Sequence, residues 1–223
     1  MLPAAFPKIC QHAYLAVASA THIDIEGAVA GMRSVVYSEN GPSSVLRLVE
    51  RELDSPAPGE VRVRVSRSGV NPADWKVRAG FLFPPSGDVV PNLDGSGTID
   101  KLGDGVVRFK VGDRVWVSSE FALPRGGTAQ EFVVLPVERV FRLPDDVDFD
   151  LGASLGVPTF TAHRALSSIA GLEHIYPGAL AGATVLVSGG AGAVGHAAIQ
   201  LGRVSQRFGL VAGTLGVCLE RSC

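Results

Sequence analysis

ATVLVSGGAGAVGHAAIQLGR, residues Ala183–Arg203, places a β-branched apolar run, a glycine-rich turn and a helical stripe directly after one another. Thr184 to Ser188 reads as a parallel strand covered on both faces. Gly190, Gly192 and Gly195 then supply G-x-G-x-x-G. In that pattern the first glycine permits a tight turn, the second lets backbone approach a pyrophosphate, and the third allows close helix packing. Gly189 adds an overlapping G-x-x-G-x-x-G. Val194, Ala197, Ala198 and Leu201 fall at i, i+3, i+4 and i+7, which predicts a helix laid on the sheet with its N-terminal amides aimed at phosphates. Gly189, Gly190, Ala191, Gly192, Ala193, Val194 and Gly195 are therefore the candidate cofactor-binding residues. The competing reading is a glycine-rich loop that binds nothing. A nucleoside-triphosphate loop needs Lys and Ser/Thr after its last glycine, where this chain has His196 and Ala197.

The surrounding chain has the composition of a globular protein. Its 223 residues are 46% hydrophobic, enough for a real core in one large domain or two small ones. A formal net charge of -2, with scattered basic residues, gives no electrostatic footprint for nucleic acid. No uninterrupted apolar run of about 18 residues exists, so no membrane span is expected. Cys10, Cys218 and Cys223 make no disulfide framework and no metal signature, so a reducing, cytoplasmic setting is the expectation. Ile9 to Ala20 faintly resembles a secretory leader, but Gln11 and His12 interrupt it. Residues 1–31 read as an unstructured extension ahead of a domain that starts near Met32.

From Met32 to about Pro144 the chain reads as short strands divided by turns. Val61, Val63 and Val65 alternate with Arg62, Arg64 and Ser66, the pattern of a half-buried strand. Arg33 to Tyr37, Gly97 to Leu102, Asp113 to Val117 and Ala129 to Leu135 are further strand candidates, with Asn40-Gly41-Pro42, Ala57-Pro58-Gly59 and Gly103-Asp104-Gly105 as turn signals. Regular short strands with this punctuation predict a compact β-barrel over 32–150. Residues 151–203 read as connecting helices and the start of an α/β unit.

GVNPADWKVRAG (Gly69–Gly80), PNLDGSGTI (Pro91–Ile99), FKVGDRVW (Phe109–Trp116), GTAQEFVVL (Gly127–Leu135) and VPTFTAHRAL (Val157–Leu166), in this order ahead of the glycine-rich run, carry a resemblance. The chain resembles the medium-chain dehydrogenase/reductase superfamily, specifically its zinc-free quinone oxidoreductase branch, from Met32 to about Arg203. That resemblance implies a chaperonin-10-like β-barrel followed by a Rossmann domain for NADPH, with a quinone or enone as hydride acceptor. It leaves open a homodimer in the full-length relatives. Zinc-dependent members place a cysteine where this chain has Asn71 and a His-Glu pair where it has Leu93-Asp94, so no metal is expected.

The resemblance also nominates two catalytic residues. It places Asn71 at the nicotinamide end of the cleft, where an amide would bond cofactor or a substrate carbonyl. Asn71, Pro72 and Asp74 also fit N-cap, N1 and N3 of a short helix, and both roles stay open. Thr161 corresponds to a hydroxyl near the nicotinamide, yet a helical threonine also bonds the preceding turn. Lys76 stands where relatives commonly carry a cofactor-contacting tyrosine, and reads instead as a solvated lysine. His163, His174 and His196 have no partner spaced beside them and read as ordinary surface or core histidines. Asp113 is expected to organise a turn. Among Asp145, Asp146, Asp148 and Asp150, one is expected to start a helix.

The acidic or basic residue that reads the adenosine ribose belongs about 20 residues beyond the glycines. Gly209 to Thr214, which fills that window, carries no charge. Residues 204–223 no longer resemble the family, as expected of a tail from a shifted frame or retained intervening sequence. The α/β part therefore reads as the first β-α part of an incomplete Rossmann domain, its strand lacking neighbours. A C-terminally truncated, catalytically inactive chain that at most binds a partner is the alternative to a reductase.

Overall fold

The computed structural model describes residues 31–205 apart from 83, 121–125, 172 and 174–176, together with the backbone of 211–213. The expected extension up to Ala30, the three cysteines, His174, and residues 206–210 and 214–223 of the tail lie outside the described residues. The chain divides into two units, one ending at Gly156 and the other starting at Val157.

The first unit is mainly β. Its strands are β1 (Gly31–Val36), β2 (Arg47–Glu52), β3 (Glu60–Gly69), β4 (Asp94–Leu102), β5 (Arg114–Ser118), β6 (Phe132–Pro136) and β7 (Val140–Arg142). Helix α1 (Pro72–Arg78) follows β3, and α2 (Phe149–Ala153) follows β7. The alternation in Val61-Arg62-Val63-Arg64 is realised in β3, where both valines are fully buried while Arg64 is exposed. They join Ile99, Phe109, Val115, Val117, Val133, Leu135 and Val140 in one core cluster. Burying such side chains stabilises the fold by about 1.5–3 kcal/mol each.

The strand pairing is more open than the compact β-barrel expected from the sequence. Among the described residues the strands form two open antiparallel sheets, β1-β2 and β6-β3-β4-β5-β7. The two meet where β1 crosses the chain just before β6. There the Val35 N–H donates to Ala129 O at 2.8 Å and the Glu131 N–H to Arg33 O at 3.1 Å. A single bridge, Ser34 with Gln130, marks that crossing, so the contact stops short of a continuous ladder. Register shifts at Arg62/Val63 and Val65/Arg67 bend β3, as bulges do, and curl the larger sheet.

The expected polar turn residues are in place. The Lys110 N–H donates to Asp113 Oδ2 at 3.1 Å and Arg142 pairs with the same oxygen at 3.0 Å, so Asp113 ties a turn. Asp148 is the N-cap of α2, its Oδ1 accepting from the Leu151 N–H at 2.7 Å.

Helix α3 (Gly156–Ile169) begins on the last residue of the first unit. The second unit then holds β8 (Val185–Val187), α4 (Ala193–Ser205) and β9 (Val211–Gly213). β8 pairs with β9 in parallel, Val185 opposite Val211, which corrects the expectation of a strand without neighbours. β8 is also not covered on both faces, since Leu186 is 72% exposed. The two-stranded sheet leaves it without the second layer that a fully apolar strand anticipates.

Candidate functional site

The glycine-rich run folds as a bend between an extended segment and a helix, but the glycines divide the work differently from the sequence expectation. Gly189, read as the extra glycine, takes φ +71°, so it makes the tight turn assigned above to Gly190. The Gly192 N–H closes that turn by donating to Gly189 O at 3.0 Å. Gly195 permits a close approach: a Cβ there would stand 2.3 Å from Gly189 O and 2.9 Å from Gly190 Cα. Gly192 has only one such neighbour, Gly189 O at 3.4 Å, and stays open on its outer side.

The first helical bond of α4 runs from the His196 N–H to Gly192 O at 2.8 Å. By helix geometry the preceding amides lack an intrahelical acceptor, which makes a partly positive, anion-accepting end. Ala191, Ala193 and Val194 lie exposed on that bend. The predicted stripe is displaced, because α4 buries Gly195, Ala198, Gly202 and Ser205 and leaves Val194 40% exposed. Small residues form the packed face because they let the helix backbone come close to the strand.

In the first unit, Asn71 has a denser environment than its sequence context suggests. It is the N-cap of α1, with Pro72 at N1 and Asp74 at N3. Its backbone N–H donates to Asp74 Oδ2 at 2.6 Å, and its side-chain Nδ2 donates to Asp94 Oδ2 at 2.8 Å. Ser118 Oγ donates to the other oxygen of Asp94 at 3.3 Å. Asn71, Asp74 and Asp94 are 8%, 6% and 1% exposed, so this polar group is held inside the protein. Gly156 accommodates it: a Cβ there would fall 2.1 Å from Asp94 Oδ1.

Electrostatics follow from that burial. Desolvation raises the Asp74 carboxyl from 3.8 to about 6, with the neighbouring Asp94 charge adding to the rise and amide hydrogen bonds from Asn71 and Leu93 opposing it. Burial likewise raises Tyr37, where nearby Arg78 opposes the shift and Asp74 adds to it. Burial would raise Glu131 too, yet the backbone and guanidinium of Arg33 bond it and hold it below the ordinary range.

The other candidates have simpler surroundings. Thr161 is exposed on α3 and its hydroxyl donates to Val157 O at 2.6 Å, the bond to the preceding turn. The Lys76 ammonium is exposed and lies 5.8 Å from the Trp75 ring centroid. His196 is exposed and contacts Gln200 one turn on, at 2.8 Å. Among the described residues no group of three or more His, Cys, Asp or Glu is placed to hold a metal ion.

Residues 57–145 match the model of the alcohol dehydrogenase GroES-like domain. The quinone oxidoreductase of Lama guanicoe is 40% identical over 175 residues, which span 77% of this chain and 49% of that protein. The human quinone oxidoreductase is 38% identical over 83% of this chain and 53% of its own length. This chain belongs to the quinone oxidoreductase branch of the medium-chain dehydrogenase/reductase superfamily. It spans about half the length of those curated relatives.

Solved structures agree with a GroES-like first unit in a medium-chain reductase. The human synaptic vesicle membrane protein VAT-1 homolog-like protein superposes with a TM-score of 0.69 at 32% identity, over 84% of this chain and 57% of that one. Mycobacterial Rv1454c, solved as a complex with NADPH, superposes with a TM-score of 0.65 at 30% identity, over 84% and 53%. Within this quinone oxidoreductase relative, sequence reasoning missed the carboxylates around Asn71. Asp74 was legible only as a helix-start residue. Asp94 drew notice only as the neighbour of a leucine in a metal-ligand position.

Proposed function

We propose that this chain carries the cofactor cradle of an NADPH-dependent reductase that passes hydride to a quinone or an activated enone. The observation that supports it is the Gly189 turn packed against Gly195, with Gly192 left open at the start of α4. A backbone of this form accepts a pyrophosphate without side-chain obstruction. NADPH held there would supply the hydride. The chain's own residues bind the phosphates through main-chain amides, while Asn71 offers an amide for a carbonyl of the cofactor or acceptor. Thr161 is the second candidate contact, through its hydroxyl. The reading also takes the α/β unit as the start of a Rossmann domain and the chemistry as zinc-independent, in a cytoplasmic setting.

A second reading, a truncated chain that binds without turnover, draws support from the exposed Leu186 and from the uncharged stretch at β9, where a ribose-reading side chain belongs. NADPH titration followed by nicotinamide fluorescence separates the two. Saturable micromolar binding with quinone-dependent oxidation of NADPH supports the reductase. Binding without oxidation supports the second reading, and no binding overturns the cradle itself. Quinone reduction is compared with an Asn71→Ala variant, because free thiols reduce quinones directly.

A further inference from the structure

Two carboxylates converge on one asparagine: Asp74 as the N3 partner of the capping box that starts α1, and Asp94 from outside that helix. Asp94 sits in β4 and Asp74 in the first turn of α1, yet both bond Asn71 in a place that excludes water. A carboxylate facing an amide only accepts, so the Nδ2–H of Asn71 must be the donor and the amide has one orientation. We propose that Asp94 is a positioning residue that fixes which way the Asn71 amide faces, with Asp74 holding the same residue from its main-chain N–H. This deepens the reductase reading and rests on it for the role of Asn71, although the clamp itself is a property of the first unit.

Other features point to a fixed geometry. Ser118 of β5 donates to the second oxygen of Asp94, so the carboxylate is held from one strand and from the start of α1. Gly156 leaves room for it where a side chain would collide, a Cβ there falling 2.1 Å from Asp94 Oδ1. Asp74 lies near Tyr37 as well as Asp94, and its Oδ1 is buried without a hydrogen-bond partner. The consequence for chemistry is orientation: an amide locked in one sense presents the same group to a carbonyl at every encounter.

Nitrogen-15 NMR of the full chain tests the clamp without reference to turnover. The Asn71 side-chain NH2 signals, assigned by their loss in Asn71→Ser, are expected to exchange with solvent at least about tenfold more slowly than free asparagine amides. In Asp94→Asn, which keeps shape but replaces the acceptor-only carboxylate by a neutral amide able to donate as well as accept, that protection is expected to fall by about tenfold while the melting curve stays cooperative. Unprotected Asn71 in the wild type overturns the proposal even if Asp94→Asn does not fold, and so does unchanged protection in a folded Asp94→Asn.

A second arm reads catalysis. With NADPH and a soluble benzoquinone, Asp94→Asn is expected to lower kcat by about ten- to a hundredfold and to leave the KM for NADPH within about twofold. Equal turnover in wild type and Asp94→Asn, with the amide loosened, overturns the positioning role. A wild type that does not oxidise NADPH refutes the reductase reading alone, since the amide-exchange arm still decides the clamp.

Discussion

Replacing Asp74 by asparagine should change how the stability of this protein depends on pH, by an amount set by the burial of that carboxyl. Desolvation raises the group from its ordinary 3.8 to about 6 in the folded chain. The folded state therefore holds the proton more tightly than the unfolded chain. This stabilisation is complete below about 3.8 and is lost as pH rises through about 6. At about 1.4 kcal/mol per pH unit, the rise corresponds to about 3 kcal/mol between fully acid and neutral conditions. About 2 kcal/mol of it falls between about pH 4.5 and 8, a range open to urea denaturation.

Asp74→Asn keeps an oxygen for the Asn71 N–H and carries no titrating charge. The unfolding free energy of Asp74→Asn minus that of the wild type should therefore climb by about 2 kcal/mol from pH 4.5 to 8, with most of the change below about pH 6.5. Equilibrium urea curves at four or five pH values give that difference directly. A difference that stays flat with pH, or that falls as pH rises, refutes the argument that burial dominates at Asp74.

Further outcomes follow from other sites. Gly195→Ala forces a Cβ to 2.3 Å from Gly189 O. It should lower stability by about 1–3 kcal/mol and abolish NADPH binding, seen by melting and fluorescence titration. Gly192→Ala meets only Gly189 O at 3.4 Å, so its melting curve should match the wild type while its affinity for NADPH drops. Asp148→Ala removes the Leu151 N–H acceptor at the start of α2 and should cost about 1 kcal/mol by urea denaturation. Val115→Ala empties a fully buried core position and should cost about 2–4 kcal/mol, as judged from the same experiment.

Local signals in the sequence carried most of the first unit. The valine alternation of β3 and the Asn-Pro-x-Asp start of α1 each depend on residues within a few positions, and both fold as their chemistry suggests. The contacts of Asp94 were not legible, because Asn71 and Ser118 are 23 and 24 residues away and meet it only through sheet pairing and the return of α1. The face of α4 was misjudged in part. Of the expected stripe Val194, Ala197, Ala198 and Leu201, only Ala198 is buried; Gly195 packs closely as expected, and Gly202 and Ser205 complete the face in place of Val194 and Leu201. β9 was missed because three residues in an uncharged stretch have no periodicity to reveal a strand. That the sheets stay open, with β1 meeting the chain before β6 at a single bridge, depends on pairing across the chain that strand propensity alone does not encode.

The most direct measurement is an NADPH titration of nitrogen-15-labelled chain, following the backbone amides from Gly189 to Gly195. Saturable shifts confined to those residues and the first turn of α4, absent in Gly192→Ala, are the predicted result. Amides that do not move at millimolar NADPH, in a chain whose other signals are well dispersed, contradict the account.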